Sequence, residues 1–206
     1  MKAGYTLIEI MVVMSIIAIL AGILFSGAKA LIDTARKTDA KNTASNLRNA
    51  IAAYHSDYRR YPAPAGSGGK AAHVDYVSDD SFMEILLGAR TDAGRKLNPK
   101  GTPYFSGRTA KRLGANRFVN GISLSQSGSG AGSLWDPWGY KYGLRIDSSN
   151  QGQMANPAHN PPSLSGSWAP QWGSGTSTEL KYLSESVVVW SSGKEADIAS
   201  DNVVTW

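Results

Sequence analysis

Apolar residues fill the chain almost without a break from Leu7 to Phe25, and the one charge in that run is Glu9. Beyond it the pattern changes. Ala28, Leu31, Ile32, Ala35, Ala40, Ala44, Leu47, Ile51, Tyr54 and Tyr58 recur at helical spacing, with Asp33, Arg36, Lys37, Asp39, Lys41, Asn42, Arg48 and Asp57 between them. One-sided spacing of this kind marks an amphipathic helix, whereas a helix apolar all round needs apolar surroundings. No proline falls in residues 5–61 and Pro62 follows directly. A single helix is therefore predicted from Tyr5 to about Tyr58, roughly 80 Å long. The 19 residues Leu7–Phe25 would rise about 28 Å, which suits the hydrocarbon core of a bilayer. The apolar face beyond Phe25 needs a cover that the rest of the chain must supply.

After Pro62 the signals shorten. Residues 63–78 read as loop, and Ser81-Phe82-Met83-Glu84 has the form of a capping box opening a short helix over about 81–89. Lys96–Gly101 reads as a turn, 116–124 as room for a short strand, and 125–133 as a Gly/Ser connector. Asp136-Pro137-Trp138-Gly139 is a good β-turn, and Tyr140, Tyr142, Leu144 and Ile146 then alternate as in a strand. Residues 147–178 form another polar loop. Ser186–Trp190 (SVVVW) predicts a strand buried on both faces. The expected fold class is α+β: a long N-terminal helix, transmembrane then amphipathic, packed on a small antiparallel sheet with long loops.

Length and composition narrow the field. The 206 residues allow one modest domain plus an anchor, and the absence of cysteine removes disulfides and thiolate metal sites. A net charge of +5 with scattered Lys and Arg reads as a solvated surface, so no nucleic-acid partner is expected. Enzyme motifs fail on inspection. Ser67–Lys70 and Ser191–Lys194 fit S-x-x-K and Ser200-Asp201-Asn202 spells S-D-N, but no K-T-G follows. His55, His73 and His159 stand apart, without the spacing of a zinc site. No catalysis is expected. Six Trp residues leave a carbohydrate-binding platform open, although Trp135, Trp138 and Trp190 sit in strand or turn contexts that favour packing.

Glu9 remains to be explained, because a charge at the centre of a lipid-facing helix costs about 2.5–3.5 kcal/mol, less near an end. A removable signal peptide with Ala28-Lys29-Ala30 as its cleavage site is one reading, and a simple signal anchor is another. A third starts at Gly4. Lys2-Ala3-Gly4 followed by Tyr5-Thr6-Leu7-Ile8-Glu9-Ile10 resembles the class III signal of type IV pilins and type II secretion pseudopilins. That resemblance implies a leader over residues 1–4, cleavage after Gly4 by a prepilin peptidase, and methylation of the new amine on Tyr5, where the family usually has Phe. It also implies that Glu9 pairs with the N-terminal amine of a neighbouring subunit during assembly. The structural alternative is a glutamate reaching the headgroups.

The resemblance runs further along the chain. Asn46–Tyr54 and then Asp57-Tyr58-Arg59-Arg60-Tyr61-Pro62 look like the pseudopilin pattern in which Tyr-Pro closes the long helix, and the D-P-W-G-x-x-Y string is similar to an element of major pseudopilins. The organisation it implies is a transmembrane half over 5–28, a periplasmic amphipathic half over 29–61, a variable region with a short helix over 62–133, and a C-terminal sheet and tail over 134–206. In the tail, Glu195, Asp197 and Asp201, with Asn202, suggest calcium; Lys194 beside them and the short loop argue for a plain acidic turn. No other cofactor is expected. The implied function is a structural subunit of a type II secretion pseudopilus, held in the inner membrane by one span with its C-terminal domain periplasmic. Its partners would be copies of itself, membrane lipid, the prepilin peptidase, the inner-membrane platform and minor pseudopilins. The alternatives are a type IV pilus subunit for adhesion or DNA uptake, and an exported or anchored carbohydrate-binding module.

Overall fold

The structure is a computed structural model. It describes residues 4–63, 73–89, 91–123, 132–149, 151–172, 180–196 and 198–206, without the side chains of residues 23–28, 92–93 and 199. Helix α1 runs Leu7–Tyr58, as the periodicity predicts. It ends where Arg59 turns into the left-handed region at φ 53°, a position glycine usually takes, and Pro62 follows. By contacts the chain forms two units, Met1–Thr38 and Asp39–Trp206.

Over residues 7–20 the helix is apolar on nearly every side, Glu9 and Ser15 apart, and exposed. Leu7, Ile8, Met11, Ile16, Ile19 and Leu20 all stand open, as do Leu31 and Ile32 further on. Among the described residues no helix is long and apolar enough to cross a membrane. The described side chains of the expected span over 5–28 end at Gly22.

The second unit buries one face of the same helix. Ala40, Ala44, Leu47, Ile51 and Tyr54 are fully buried, at the spacing expected of a stripe. The elements that cover them follow in chain order: β1 (Val74–Val77), α2 (Asp80–Leu86), α3 (Asp92–Leu97), β2 (Lys111–Arg112), β3 (Phe118–Val119), β4 (Gly121–Ile122) and β5 (Leu134–Trp135). Then come β6 (Gly143–Ile146), β7 (Met154–Ala155), β8 (Tyr182–Leu183), β9 (Val187–Ser191), a 3-10 turn over Ala199–Asp201, and β10 (Val203–Val204).

The main sheet has the order β1-β6-β9-β10, antiparallel throughout, with Tyr76 opposite Leu144, Leu144 opposite Val189, and Val204 opposite Trp190. Alternate residues point to different cores. Leu144, Ile146, Val187 and Val189 join Leu47, Ile51 and Tyr54 on the helix side. Val188 and Trp190 join Met154 and Leu183 on the other. Each such side chain contributes about 1.5–3 kcal/mol on burial. The strand SVVVW is thus covered on both faces because a second layer, built from the 154–183 region, lies over it.

That second layer accounts for two residues in β6. A Cβ on Gly143 would meet Trp190 Cε2 at 2.3 Å, so glycine lets the indole lie against the strand. Arg145 is buried, and its guanidinium donates to Asp75 Oδ1 at 2.6 Å, Asp75 Oδ2 at 2.8 Å, and the carbonyls of Ala155 and Asn160 at 2.9 Å. One arginine ties the edge strand to the second layer.

Several local expectations change. The helix expected over 81–89 is α2, and Asp79 caps it, accepting from the Phe82 N–H at 3.0 Å. Ser81 instead donates to Asp79 Oδ1. The carboxylate wins because a charged acceptor is stronger at a helix N-terminus. Glu84, the expected partner in the box, is buried and accepts from the Thr91 hydroxyl instead. The 63–78 segment, read as loop, contributes the edge strand β1; the 62–133 region also holds α3 and β2–β4. The short strand expected in 116–124 is two, β3 and β4, broken at Asn120, whose φ is 62°. Most of the 125–133 connector lies outside the described residues.

Candidate functional site

Helix α1 begins at three reciprocal hydrogen bonds between Thr6 and Glu9. The Thr6 N–H donates to Glu9 Oε2 at 2.8 Å, the Thr6 hydroxyl donates to the same oxygen at 2.8 Å, and the Glu9 N–H donates to Thr6 Oγ1 at 3.3 Å. Thr6 is the N-cap and Glu9 the third helical residue, so T-L-I-E is a capping box. The carboxylate also sits where the helix dipole favours negative charge. Glu9 is therefore satisfied by its own helix end, without a cation. The signal T-x-x-E stood in the sequence, and Thr6 is the residue that reasoning from charge alone missed.

Around this cap the surface is bare. Tyr5 is 85% exposed, and a Cβ on Gly4 would meet nothing within 4 Å. Of the expected leader, residues 1–3 lie outside the description; the expected cleavage position, between Gly4 and Tyr5, lies within it and stands open to solvent. Gly4, Tyr5 and Glu9 thus share one exposed helix end whose flanks are Ile8, Ile10, Val12 and Val13.

The tail is arranged differently. Asp201 Oδ2 accepts the Lys194 N–H at 2.5 Å and the Glu195 N–H at 2.8 Å, closing the turn after β9. Asn202 keeps both amide atoms buried without a hydrogen-bond partner among the described residues. Asp197 lies outside the described residues, and among those described no cluster of three metal-binding side chains occurs.

The Asp136-Pro137-Trp138-Gly139 turn forms as expected, with Gly139 at φ 89°, where a side chain would be strained. Asp136 is fully buried and holds the turn from inside. Its Oδ1 accepts the Trp138 N–H at 2.9 Å and the Tyr140 N–H at 2.8 Å, while the Ser191 hydroxyl donates to Oδ2 at 2.6 Å. Burial pushes its carboxyl up to about 6, with these bonds pulling the other way. Asp136 works in the core, tying the turn to β9.

Other candidates disperse. Trp135, Trp138 and Trp190 are buried, so they form no sugar platform. Trp168 is partly exposed, with the Arg117 guanidinium over its ring at 4.5 Å. His55 stacks on Tyr61, and His73 lies beside Asn160, 3.5 Å away.

Residues 1–25 match a family model described as the prokaryotic N-terminal methylation motif. Over 124 residues the chain is 30% identical to the fimbrial protein EcpC of Eikenella corrodens, an alignment spanning 60% of this chain and 80% of that protein. No solved structure matches the chain significantly.

Proposed function

The chain belongs to the type IV pilin-like family, and from that premise we propose that it is a filament subunit of the type II secretion pseudopilus kind. It is held in the inner membrane by residues 5–28 before assembly, with its C-terminal domain in the periplasm. The observation that carries the filament reading is the helix over residues 7–20, whose apolar side chains stand exposed around its circumference. Such a surface requires lipid or other helices. Lipid serves the single subunit, and neighbouring copies serve the filament. In this reading the prepilin peptidase removes residues 1–4 and the new amine of Tyr5 is methylated.

Glu9 has two states in this account. In the lone subunit Thr6 satisfies it, which lowers the cost of holding a carboxylate at the membrane. In the filament a neighbour's amine replaces or joins Thr6, and only one stagger of subunits brings the two charges together. Assembly through the inner-membrane platform and minor pseudopilins belongs to the same proposal. The Asp136 turn and the lack of cysteine favour the pseudopilus. The similarity to a fimbrial protein favours a second reading, a type IV pilus subunit. Loss of protein secretion in a deletion strain, with surface fibres retained, would select the first; the reverse would select the second.

The first test is the intact mass and N-terminus of the membrane protein, together with filament formation by Glu9→Ala. A chain starting at Tyr5 and carrying one methyl group is expected, and Glu9→Ala should insert normally but yield few or no filaments. Normal filaments from that variant would refute the pairing. Calcium held by Glu195, Asp197 and Asp201 is also proposed, supported by the unpartnered amide of Asn202. Chelation should lower the melting temperature of the domain; an unchanged value would remove the site.

A further inference from the structure

From residue 93 to residue 135 the sequence carries seven Lys and Arg and no acidic residue. The most exposed part of that stretch is the hairpin β2–β3. Its turn is preorganised: the Arg112 guanidinium donates to the carbonyls of Gly114 at 3.0 Å and Ala115 at 2.9 Å, and the Leu113 N–H donates to Arg117 O at 2.8 Å. These bonds leave the cationic charge of Arg112 uncompensated. Leu113 stands 59% exposed at the tip, and Lys111 is exposed, with no polar partner among the described residues. A lone surface leucine is ordinary. A rigidly held one flanked by cations, with no acid nearby in sequence, suits an anionic surface with an apolar interior.

The hairpin's attachment says which surface. Arg108, which precedes β2, bonds Asp39 and Asn120, and Arg117 donates to Trp138 O at 2.8 Å. Trp138 in turn packs on Ala40. The hairpin is thus fastened at Asp39 and Ala40, where the second unit begins. Only residues 29–38 separate Asp39 from the apolar segment, and ten residues reach at most about 35 Å even fully extended. A membrane holding the segment therefore lies no more than about 35 Å from the hairpin's attachment at Asp39, and a tether that short makes weak contacts count.

We propose that the β2–β3 hairpin docks on the anionic phospholipid headgroups of the membrane that anchors the same chain, with Lys111 and Arg112 facing phosphates and Leu113 entering the interface. This rests on the anchored-subunit reading. Each cation near an anionic leaflet strengthens such attachment about fivefold, and high salt weakens it. Docking would fix how the domain is presented before assembly, and extraction into the filament would release it.

The test uses the full chain, which has no native cysteine, with Ala115→Cys carrying an environment-sensitive dye. It is reconstituted in vesicles of phosphatidylcholine, with or without about one third phosphatidylglycerol. Lipid-borne quenchers should quench the dye severalfold more in the anionic vesicles, and adding Lys111→Glu with Leu113→Ser should abolish the difference. Equal quenching in both vesicles would overturn the proposal, as would quenching that rises with protein-to-lipid ratio, which would mean a second copy is the partner. A chain that alkaline washing strips from the vesicles would sink the anchor reading and this inference with it. An integrated chain without lipid-selective quenching would sink this inference alone.

Discussion

Residues 7–20 and 40–58 belong to one helix and share a backbone, yet their side chains meet opposite fates. Leu7 is 78% exposed and Ile16 51%, whereas Leu47 and Ile51 are at 0%. Hydrophobicity alone does not separate them, since the first stretch is the more apolar. Arrangement does. The second stretch gathers its apolar residues on one face, which a sheet and two short helices can cover, and puts Lys41, Arg48 and Asp57 elsewhere. The first has apolar residues on every face, which no single layer of its own chain can cover. A domain can finish a one-sided apolar surface; only a bilayer or a bundle of other helices finishes one that is apolar all round.

Truncation on either side of that divide should have unequal effects. Leu47→Ala opens a cavity among Ile51, Leu144 and Val189 and should cost the domain about 2–5 kcal/mol. Ile16→Ala, in the exposed stretch, should leave the domain's unfolding midpoint in mild detergent unchanged while weakening filament assembly. Equal midpoint losses for the two substitutions would break the comparison, because they would mean that residue 16 is packed by its own domain.

The exposed helix end and the domain core also each hold a carboxylate, and these differ in the same sense. Glu9 stays exposed with its oxygen on Thr6; Asp136 is sealed in the core. The raised folded-state pKa of Asp136, about 6 against an ordinary 3.8, means that between those values the folded chain binds a proton the unfolded chain does not. Its contribution to stability is therefore fully present below about pH 4 and lost as pH rises through 6, a change of up to about 3 kcal/mol. Asp136→Asn keeps an acceptor for the Trp138 and Tyr140 N–H groups but cannot ionise. Urea unfolding at pH 4 and pH 7 should show the native protein losing ground to the variant at the higher pH. A constant gap between the two would show that the carboxyl does not ionise in the core over that range.

What could be foreseen follows the length of each signal. Helix α1 repeats its pattern over many turns, and SVVVW is a continuous apolar run, so both were legible. Strands of two residues, such as β7 and β8, are shorter than one period of any pattern and exist because partners hold them. Strand β1 was hidden because VDYV places Asp75 where an apolar residue would advertise a buried edge, and that carboxylate makes sense only once Arg145 is seen beside it. Helix α3 (DAGRKL) has glycine in its middle and Asn-Pro after it, both of which read as loop. At the N-terminus the site residues are legible in the sequence but the cap is masked, because a carboxylate in an apolar run reads first as a charge in lipid and only second as a helix end.

That cap gives the smallest effect and the finest discrimination. If Thr6 is what satisfies Glu9 in the lone subunit, Thr6→Ala should fray the first turn by about 1 kcal/mol, the usual cost of losing an N-cap. Amide exchange at residues 8–10, measured in detergent micelles, should quicken by about fivefold, while exchange at Leu47 and Ile51 stays unchanged. Thr6→Ser keeps the hydroxyl and should behave as the native chain does. The effect should also depend on Glu9: in a Glu9→Gln background the neutral amide accepts more weakly, so removing the Thr6 hydroxyl should matter less. Equal losses in both backgrounds would mean that Thr6 caps the helix without holding the carboxylate, and Glu9 would then need its compensation from outside the chain even before assembly.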